Sequence, residues 1–444
     1  MAPPHRDPHT INVALLGCGN VGLALYELLA EPTQRQELHQ RTGLWFDVVG
    51  VAVADPAKHR TDASWFNPAL LTTSAADLVE RPDVHVVVEL MGGIEGTDEL
   101  LHLALRSNKS VVSANKALFA MQGRRLAKLA ADRGVELRYE AAVAGAIPIL
   151  RVLRESLAGE RIERVMGIVN GTTNFILSKM DAEGRDYGEV LAEAQELGLA
   201  ERDPAADVEG YDAAAKAAIL ATMAFGSRVV TTDVYREGIT GVRLLDVEFS
   251  RRLGYVIKLL AICERLEGEE ISVRVHPAMV PSSHPLASVE GAFNAVFVEG
   301  AACGELMLYG RGAGGRPTAS AVLGDLIEVG RAITTDRPVV EVMPPHPLNK
   351  RRMADLMCAF YVTVDVKDRP GVLAAVTAVF GNHGVSIRSM EQVGLGAEAR
   401  LIFVTHVARE GAMAATLRDL RRLSAVDRVG SMLRVVADDD GEVA

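Results

Sequence analysis

The sequence predicts an α/β chain in three parts: an N-terminal Rossmann-type domain, a central α+β domain and a C-terminal βαββαβ domain. Three observations predict it. Short apolar runs alternate with helical stretches through about residue 135, the rhythm of a mostly parallel sheet. The motif "GCGNVG" (17–22) sits between the first run and the first helix. A proline-rich and then basic stretch, "VMPPHPLNKRRM" (342–353), precedes about 80 residues that read strand, helix, strand, strand, helix, strand.

The elements follow in order. "INVALL" (11–16) is the first strand, and "LALYELLA" continues the helix after the glycines. Gly17 permits a tight turn, Gly19 lets the backbone approach a pyrophosphate at the helix N-terminus, and Gly22 allows close helix–strand packing. A loop is expected at 32–45, then the strand "FDVVGVAV". Asp55 ends it, placed to bond a ribose hydroxyl, whereas Lys58 and Arg60 suit a 2′-phosphate; the first favours NAD and the second NADP. A strand at 84–90, a strand running into a turn at 110–116, helices at 97–107 and 117–133, and Lys116 at the end of the second strand complete the region.

Past 136, "AGAIPILRVLRESL" enters a helix through Pro148, "RIERVMGIVN" is a strand and "GTTNFILSKM" a turn and helix. Segments 237–245, 271–279 and 292–310 read as strands. "GRGAGGRPTASAVLGDLIEVGRAI" (310–333) is a glycine-rich turn running into a long helix, whose residues 317–333 are expected to pack back on the first domain. The expected boundaries are a tail at 1–10, domains at 11–135, 136–342 and 358–436, a linker at 343–357 and an acidic tail at 437–444.

Composition narrows the function. With 444 residues, two or three domains are expected. A net charge of −11 argues against nucleic acid or an anionic membrane, and no apolar run is long enough to span a bilayer. The four cysteines have no C-x-x-C spacing, which fits a reducing cytoplasm rather than a disulfide framework or a structural zinc.

The candidate chemistry lies in "AERDPAADVEGYDAAAK" (200–216). Asp212 and Lys216 stand four apart on one helix face, an arrangement that also describes an ordinary helix ion pair. Around them the loop brings Glu201, Asp203, Asp207 and Glu209. A lysine ammonium can protonate the oxygen of an aldehyde that receives a hydride, and Glu201, Asp207 and Asp212 can hold an amino-acid substrate. Backbone carbonyls in "EAAVAGAIP" (140–148) can coordinate a monovalent cation, although a close-packed turn explains them as well. "NGTTN" (170–174) suits a helix cap or a pocket wall.

"GCGNVG", "SANK", "EAAVAGAIPI", "GIVNGTTNFIL", "EAQELGLAERDPAADVEGYDAAAK" and "GRGAGGRPTASAV" together resemble homoserine dehydrogenase in its monofunctional form with a C-terminal ACT domain, over nearly the whole chain. The resemblance implies reversible NAD(P)H-dependent reduction of L-aspartate 4-semialdehyde to L-homoserine, on the route to threonine, methionine and isoleucine. Lys216 would be the proton donor and acceptor. Lys116 would stand near the nicotinamide, as cofactor contact or second acid–base group. Asn20, Val21, Met91 and Gly314 join the glycines as expected cofactor contacts. Glu140, Val143, Gly145 and Ile147 match positions whose backbone oxygens hold sodium. Some members carry an arginine where this chain has Ala54, which leaves NADP against NAD to Lys58 and Arg60. "DRPGVLAAVTAVFGNHGVSI" (368–387) is similar to ACT domains, which implies feedback by L-threonine near Asp368–Gly371 and Asn382–Gly384, and a homodimer or homotetramer. A fused kinase is not expected, because about ten residues precede the first strand. The competing readings are a nucleotide-binding sensor without catalysis, and an oxidoreductase acting on another small amino-acid aldehyde.

Overall fold

The computed structural model describes residues 10–58, 60–335, 347–394 and 399–436. The expected tails at 1–9 and 437–444 and the linker's first residues, 343–346, lie outside the described residues. The chain gathers into two compact units. One holds residues 1–161, 218–231 and 308–347, and the other 162–217, 232–307 and 348–444.

The first unit is built on six parallel strands: β1 (Thr10–Leu16), β2 (Trp45–Ala52), β3 (Leu71–Thr72), β4 (Val86–Glu89), β5 (Ser110–Ser113) and β6 (Leu137–Arg138). Their order is β3-β2-β1-β4-β5-β6, so the chain reverses direction across the sheet between β1 and β4. In such sheets ligands bind outside the carboxyl ends of the strands at that switch. The intervening helices are α1 (Asn20–Ala30), α2 (Pro32–Thr42), α3 (Ala75–Glu80), α4 (Thr97–Arg106) and α5 (Lys116–Arg133), followed by α6 (Ile149–Arg151) and a π-turn at Val152–Ser156.

Two expectations fail here. The 32–45 segment is mostly helix, not loop. Glu31 caps α2 by accepting from Gln34 N at 2.8 Å, Pro32 starts it and Gly43 ends it in the left-handed region. None of its residues is buried, so it carries no apolar period to read. Lys116 is not a strand terminus but the first residue of α5, which Asn115 caps by accepting from Leu118 N.

The second unit is one continuous sheet with helices against it. Its strands are β7 (Ile162–Ile168), β8 (Tyr235–Arg236), β9 (Tyr255–Leu266), β10 (Glu270–Pro281), β11 (Phe293–Gly300) and the first half of β12 (Gly304–Arg311), whose residues from Leu308 on are counted with the first unit. Helices α7 (Gly171–Glu183), α8 (Tyr187–Glu196), α9 (Ala205–Val208), α10 (Tyr211–Phe225) and α11 (Leu244–Arg252) lie between them in sequence, with α10 from Ala218 on counted in the first unit. The expected strand at 237–245 is absent. Beyond β8 the chain turns irregularly, because a Cβ at Gly238 would run into the Val208 carbonyl and Ile239 N bonds Val208 O at 2.8 Å. The segment 255–266, for which the sequence sets no expectation, is the 12-residue strand β9, paired along its whole length with β10.

Helix α12 (Gly315–Thr335) follows and belongs to the first unit, where Ala319, Val322, Leu326 and Val329 share one apolar core with β1 and α1. Beyond it come β13 (Asn349–Lys350), β14 (Met357–Val366), α13 (Val372–Asn382), β15 (Ile387–Val393), β16 (Ala399–Thr405), β17 (Ala408–Arg409), α14 (Glu410–Leu420) and β18 (Val426–Val435). The sheet runs β12-β11-β7-β9-β10-β18-β14-β16-β15. The C-terminal βαββαβ part is therefore not an appendage. Its last strand lies parallel to β10 at Ala278–Met279, and the described part of the expected linker pairs β13 with β10 at Glu270–Ile271.

Candidate active site

At the carboxyl end of the first sheet, backbone rather than side chains makes the cradle. Gly17 sits at φ 98°, and a Cβ there would lie 2.8 Å from the Leu90 carbonyl carbon. A Cβ at Gly22 would strike the Gly17 carbonyl. Gly19 has open space where its Cβ would be, and it caps α1 without a side-chain hydrogen bond. A helix N-terminus with bare N–H groups and no side chain in front of it fits a pyrophosphate. The start of α12 also closes on this loop, since a Cβ at Gly315 would lie 2.9 Å from Asn20 O. Its neighbour Gly314 adopts φ 122°.

The neighbouring turns are locked by a residue the sequence reading passed over. Glu89 is fully buried at the end of β4. Its Oε1 accepts from Met91 N and Gly92 N at 2.8 and 2.9 Å, and its Oε2 accepts from Ser113 Oγ at 2.6 Å. Ser113 Oγ accepts in turn from Asn115 N at 3.0 Å, and Asn115 Nδ2 donates to Gly93 O at 2.6 Å. One carboxylate thus fixes the turns after β4 and β5, leaving Met91 43% exposed and Lys116 on the surface. A charge ending the apolar run "VHVVVEL" was the available signal.

The two candidate phosphate-reading cations differ. Lys58 is exposed. Arg60 folds back on its own loop, donating to the carbonyls of Lys58 and Asp55 at 2.5 and 2.9 Å. Asp55 accepts from Ala57 N, as in an Asx turn.

In the second unit the acidic stretch forms a buried cluster. Lys216 is 9% exposed and Asp212 7%. Lys216 Nζ donates to Asp212 Oδ2 at 2.6 Å and to Val169 O at 2.7 Å. Asn170 completes the arrangement. Its Nδ2 donates to Asp212 Oδ2 at 3.0 Å and to Asp207 Oδ1 at 2.7 Å, while its Oδ1 caps α7 by accepting from Thr173 N. The sequence reading offered "NGTTN" as a cap or a wall; Asn170 is a cap that also bridges two carboxylates. Thr172 Oγ1 anchors the following loop by donating to Leu199 O at 2.7 Å. Glu201 is exposed in that loop, its carbonyl accepting from Gln195 Nε2. The structure thus brings together Asp207, Asp212 and Lys216, with Glu201 on the adjoining loop.

The "EAAVAGAIP" turn belongs to the first unit. Ala144 and Gly145 are consecutive left-handed residues, and a Cβ at Gly145 would lie 2.5 Å from Gly312 O. The carbonyls of Glu140 and Ile147 already accept from Val143 N and Ile149 N, at 3.2 and 2.8 Å. The Glu140 side chain is turned inward, accepting from Leu150 N and Arg151 N at 2.8 and 2.7 Å. Burial, then the neighbouring Asp325 carboxylate, pushes its pKa up to about 7, against those N–H bonds and Arg154. Among the described residues no group of three or more His, Cys, Asp or Glu side chains could hold a metal ion.

Comparison with known proteins identifies the family. Residues 17–140 match the homoserine dehydrogenase NAD-binding domain family, 148–327 the homoserine dehydrogenase family and 360–425 the ACT domain family. The chain is 47% identical to a homoserine dehydrogenase of Corynebacterium glutamicum, over 98% of both chains. It superposes with a TM-score of 0.90 on a crystal structure of a homoserine dehydrogenase from Thiobacillus denitrificans, at 40% identity, covering 96% of this chain and 98% of that one. A hyperthermophilic archaeal homoserine dehydrogenase in complex with NADPH matches 72% of this chain and 97% of its own, with a TM-score of 0.61 and 30% identity. A nucleotide cradle, a buried lysine–carboxylate cluster and near full-length likeness lead to one conclusion: the chain belongs to the homoserine dehydrogenases, NAD(P)-dependent oxidoreductases, here with a C-terminal ACT domain.

Proposed function

We propose that the enzyme interconverts L-aspartate 4-semialdehyde and L-homoserine, with Lys216 as the proton donor and acceptor. The observation that carries this reading is the buried Lys216 ammonium, held on one side by Asp212 and on the other by a main-chain carbonyl. Two fixed acceptors give Nζ a defined position, as general acid catalysis requires. A dinucleotide held at Gly17, Gly19, Asn20, Val21 and Gly22, with Met91 and Gly314 beside it, supplies the hydride. In the reducing direction Lys216 gives a proton to the aldehyde oxygen; in the oxidising direction it takes the proton from the hydroxyl. Asp212 orients the lysine, and with Glu201 and Asp207 it offers negative charge to the substrate's ammonium group. Lys116 serves the nicotinamide side as cofactor contact or second acid–base group.

Lys58 is our candidate for a 2′-phosphate contact, because it is exposed while Arg60 is engaged with its own loop; the NADPH complex of the archaeal relative supports NADP as one cofactor. Sodium is assigned to the carbonyls of Val143 and Gly145 with those of Glu140 and Ile147, and its test is melting temperature in sodium against choline chloride. L-Threonine is assigned to the cavity of about 360 Å³ beside Asp368–Gly371, Gln392 and Leu401 in the C-terminal part. The protein is expected to work as a homodimer or homotetramer in the cytoplasm, supplying threonine, methionine and isoleucine synthesis.

The test is oxidation of NADPH and NADH with aspartate semialdehyde, by the wild type beside Lys216→Ala. Turnover in the first and near-loss in the second is expected. A wild type that binds dinucleotide but stays silent would turn the reading toward a sensor or another substrate.

A further inference from the structure

One buried ammonium in the second unit has no part in the chemistry assigned to Lys216. Lys258, on β9, is 1% exposed. Its Nζ donates to Val289 O at 2.5 Å and to Asn174 Oδ1 at 3.3 Å, and both partners are neutral. Burial lowers its pKa to about 8, while Glu290 and Asp181 attract the charge from a distance. A cation so placed costs stability beside an apolar side chain of similar length, so its hydrogen bonds need a reason.

The reason lies in a count of donors. Asn174 stands one turn after Asn170, on α7. Its Nδ2 faces three carbonyls of one loop: Val289 at 3.1 Å, Gly291 at 2.8 Å and Phe293 at 3.4 Å. A carboxamide nitrogen has two hydrogens and cannot serve three acceptors fully. Lys258 supplies the further donor at Val289 O. It also meets the other end of the amide. The two ends of a carboxamide have nearly the same shape, and a neighbour that can only donate decides which end faces it. Lys258 thereby keeps the Asn174 oxygen toward itself and the N–H groups toward the loop. That loop is pressed on the first residue of α7, since a Cβ at Gly171 would lie 2.7 Å from Ala292 O. The residue before Gly171 is Asn170, whose Nδ2 ties Asp212 to Asp207.

We propose that Lys258 is a positioning residue for the reaction: through Asn174 and the 289–293 loop it sets the first turn of α7, and with it the Asn170 amide that aims Asp207 and Asp212. This rests on the role given to the Lys216 cluster. It separates the two asparagines of "NGTTN". Asn170 touches the carboxylates, and Asn174 holds the helix turn that carries Asn170, the kind of support a preorganised site requires. Lys109 is the contrast. It is also buried and also bonds two main-chain carbonyls, Arg81 O at 3.0 Å and Val84 O at 2.7 Å, but these lie in the first unit and lead to no carboxylate of the cluster.

The experiment follows homoserine oxidation by full-length Lys258→Met, Asn170→Ala and the double variant, with Lys109→Met as the control for loss of a buried lysine. Lys258→Met should lower kcat/KM by about five- to tenfold, near the worth of one positioning hydrogen bond. The loss should appear with homoserine, the dinucleotide KM staying within about twofold and the melting temperature close to wild type. In the Asn170→Ala background the same substitution should change kcat/KM by less than about twofold, because both act on the same two carboxylates. Lys109→Met should leave kcat/KM as in the wild type. Amide exchange in the first turn of α7, where Thr173 N bonds the Asn170 cap, needs no turnover, and Lys258→Met should speed it at least about tenfold. Asn174→Asp keeps a partner for Lys258 and removes the donors to the loop, so it should show the same changes, and it stands in if Lys258→Met does not fold. Independent losses in the double variant, an equal loss in Lys109→Met, or unmoved exchange in α7 would each overturn the proposal. Full turnover in Lys216→Ala would count against the assignment of Lys216, while the coupling of Lys258 to Asn170 in kcat/KM would still decide this one.

Discussion

Two buried charge clusters in the second unit look alike in composition and differ in design. Around Lys216, one cation meets Asp212 and a main-chain carbonyl, and an asparagine ties that carboxylate to another. Around Arg434, one cation meets two carboxylates. Its Nη1 and Nη2 donate to Glu237 at 2.6 and 2.9 Å, Nε and Nη2 bond Glu410, and Nη2 reaches Tyr235 Oη at 3.3 Å. Burial opposes the Arg434 charge, but those bonds outweigh it and hold the pKa above the ordinary arginine range. A guanidinium never gives up its proton in such a setting, whereas an ammonium can. The difference teaches that burial and ion pairing alone do not mark a reactive group. The chemistry of the cation does, and the Arg434 cluster is a weld between β8, α14 and β18.

The sharpest way to break this comparison is Lys216→Ala. It should lower kcat by roughly 10²–10⁴-fold, the usual loss of an acid–base group, with dinucleotide affinity little changed. A large fall in melting temperature without a fall in kcat would make Lys216 a weld as well. Arg434→Ala should do the reverse. It leaves Glu237 and Glu410 facing each other without their cation, so unfolding by urea should show a loss of about 3–5 kcal/mol while kcat of the folded enzyme holds within about twofold.

A third cluster sharpens the rule by omitting the ammonium. Glu140 carries a pKa raised from 4.5 to about 7 beside Asp325. The folded state then binds more protons than the unfolded chain between those values. Stability from this group is therefore fullest below pH 4.5 and declines as pH rises toward 7, by at most about 3 kcal/mol. Glu140→Gln should flatten that part of the stability–pH curve measured by denaturant melts. The smallest effect is expected at Asn170. Asn170→Ala removes the cap of α7 and should cost about 1 kcal/mol of stability. Releasing Asp207 and Asp212 should also lower kcat/KM about tenfold, near the 1.4 kcal/mol of one modest hydrogen bond. An unchanged kcat/KM would leave Asn170 as a cap only.

Much of this was legible in the sequence, and the failures share a cause. The glycine turn, the strands β4 and β5, the helix after Pro317 and the C-terminal βαββαβ order all have local signals: apolar runs, glycine punctuation, period. What escaped depends on contacts between distant residues. Helix α2 buries nothing, so no pattern betrays it. The 237–245 segment alternates like a strand, but Gly238 is pressed against Val208 and no ladder forms. Asp212 and Lys216 were found because they are four apart on one helix. Asn170 shows only its capping role locally, because its tie to Asp212 spans 42 residues, and Glu89 has no local signal of its partner, because Ser113 lies 24 residues away.

The far edge of β10 is covered by three short pieces of chain: β8 at Arg274–Val275, β13 at Glu270–Ile271 and β18 at Ala278–Met279. These arrive at very different moments of synthesis. β8 precedes β10 on the ribosome, but β18 emerges about 150 residues after it, roughly 8–30 s later at ordinary elongation rates. For that interval a nascent chain offers part of a 12-residue strand edge to any passing strand. Truncated or stalled translation products should therefore aggregate through β10, and the ten-residue strand β18 acts as the closure that makes the newborn protein safe to release.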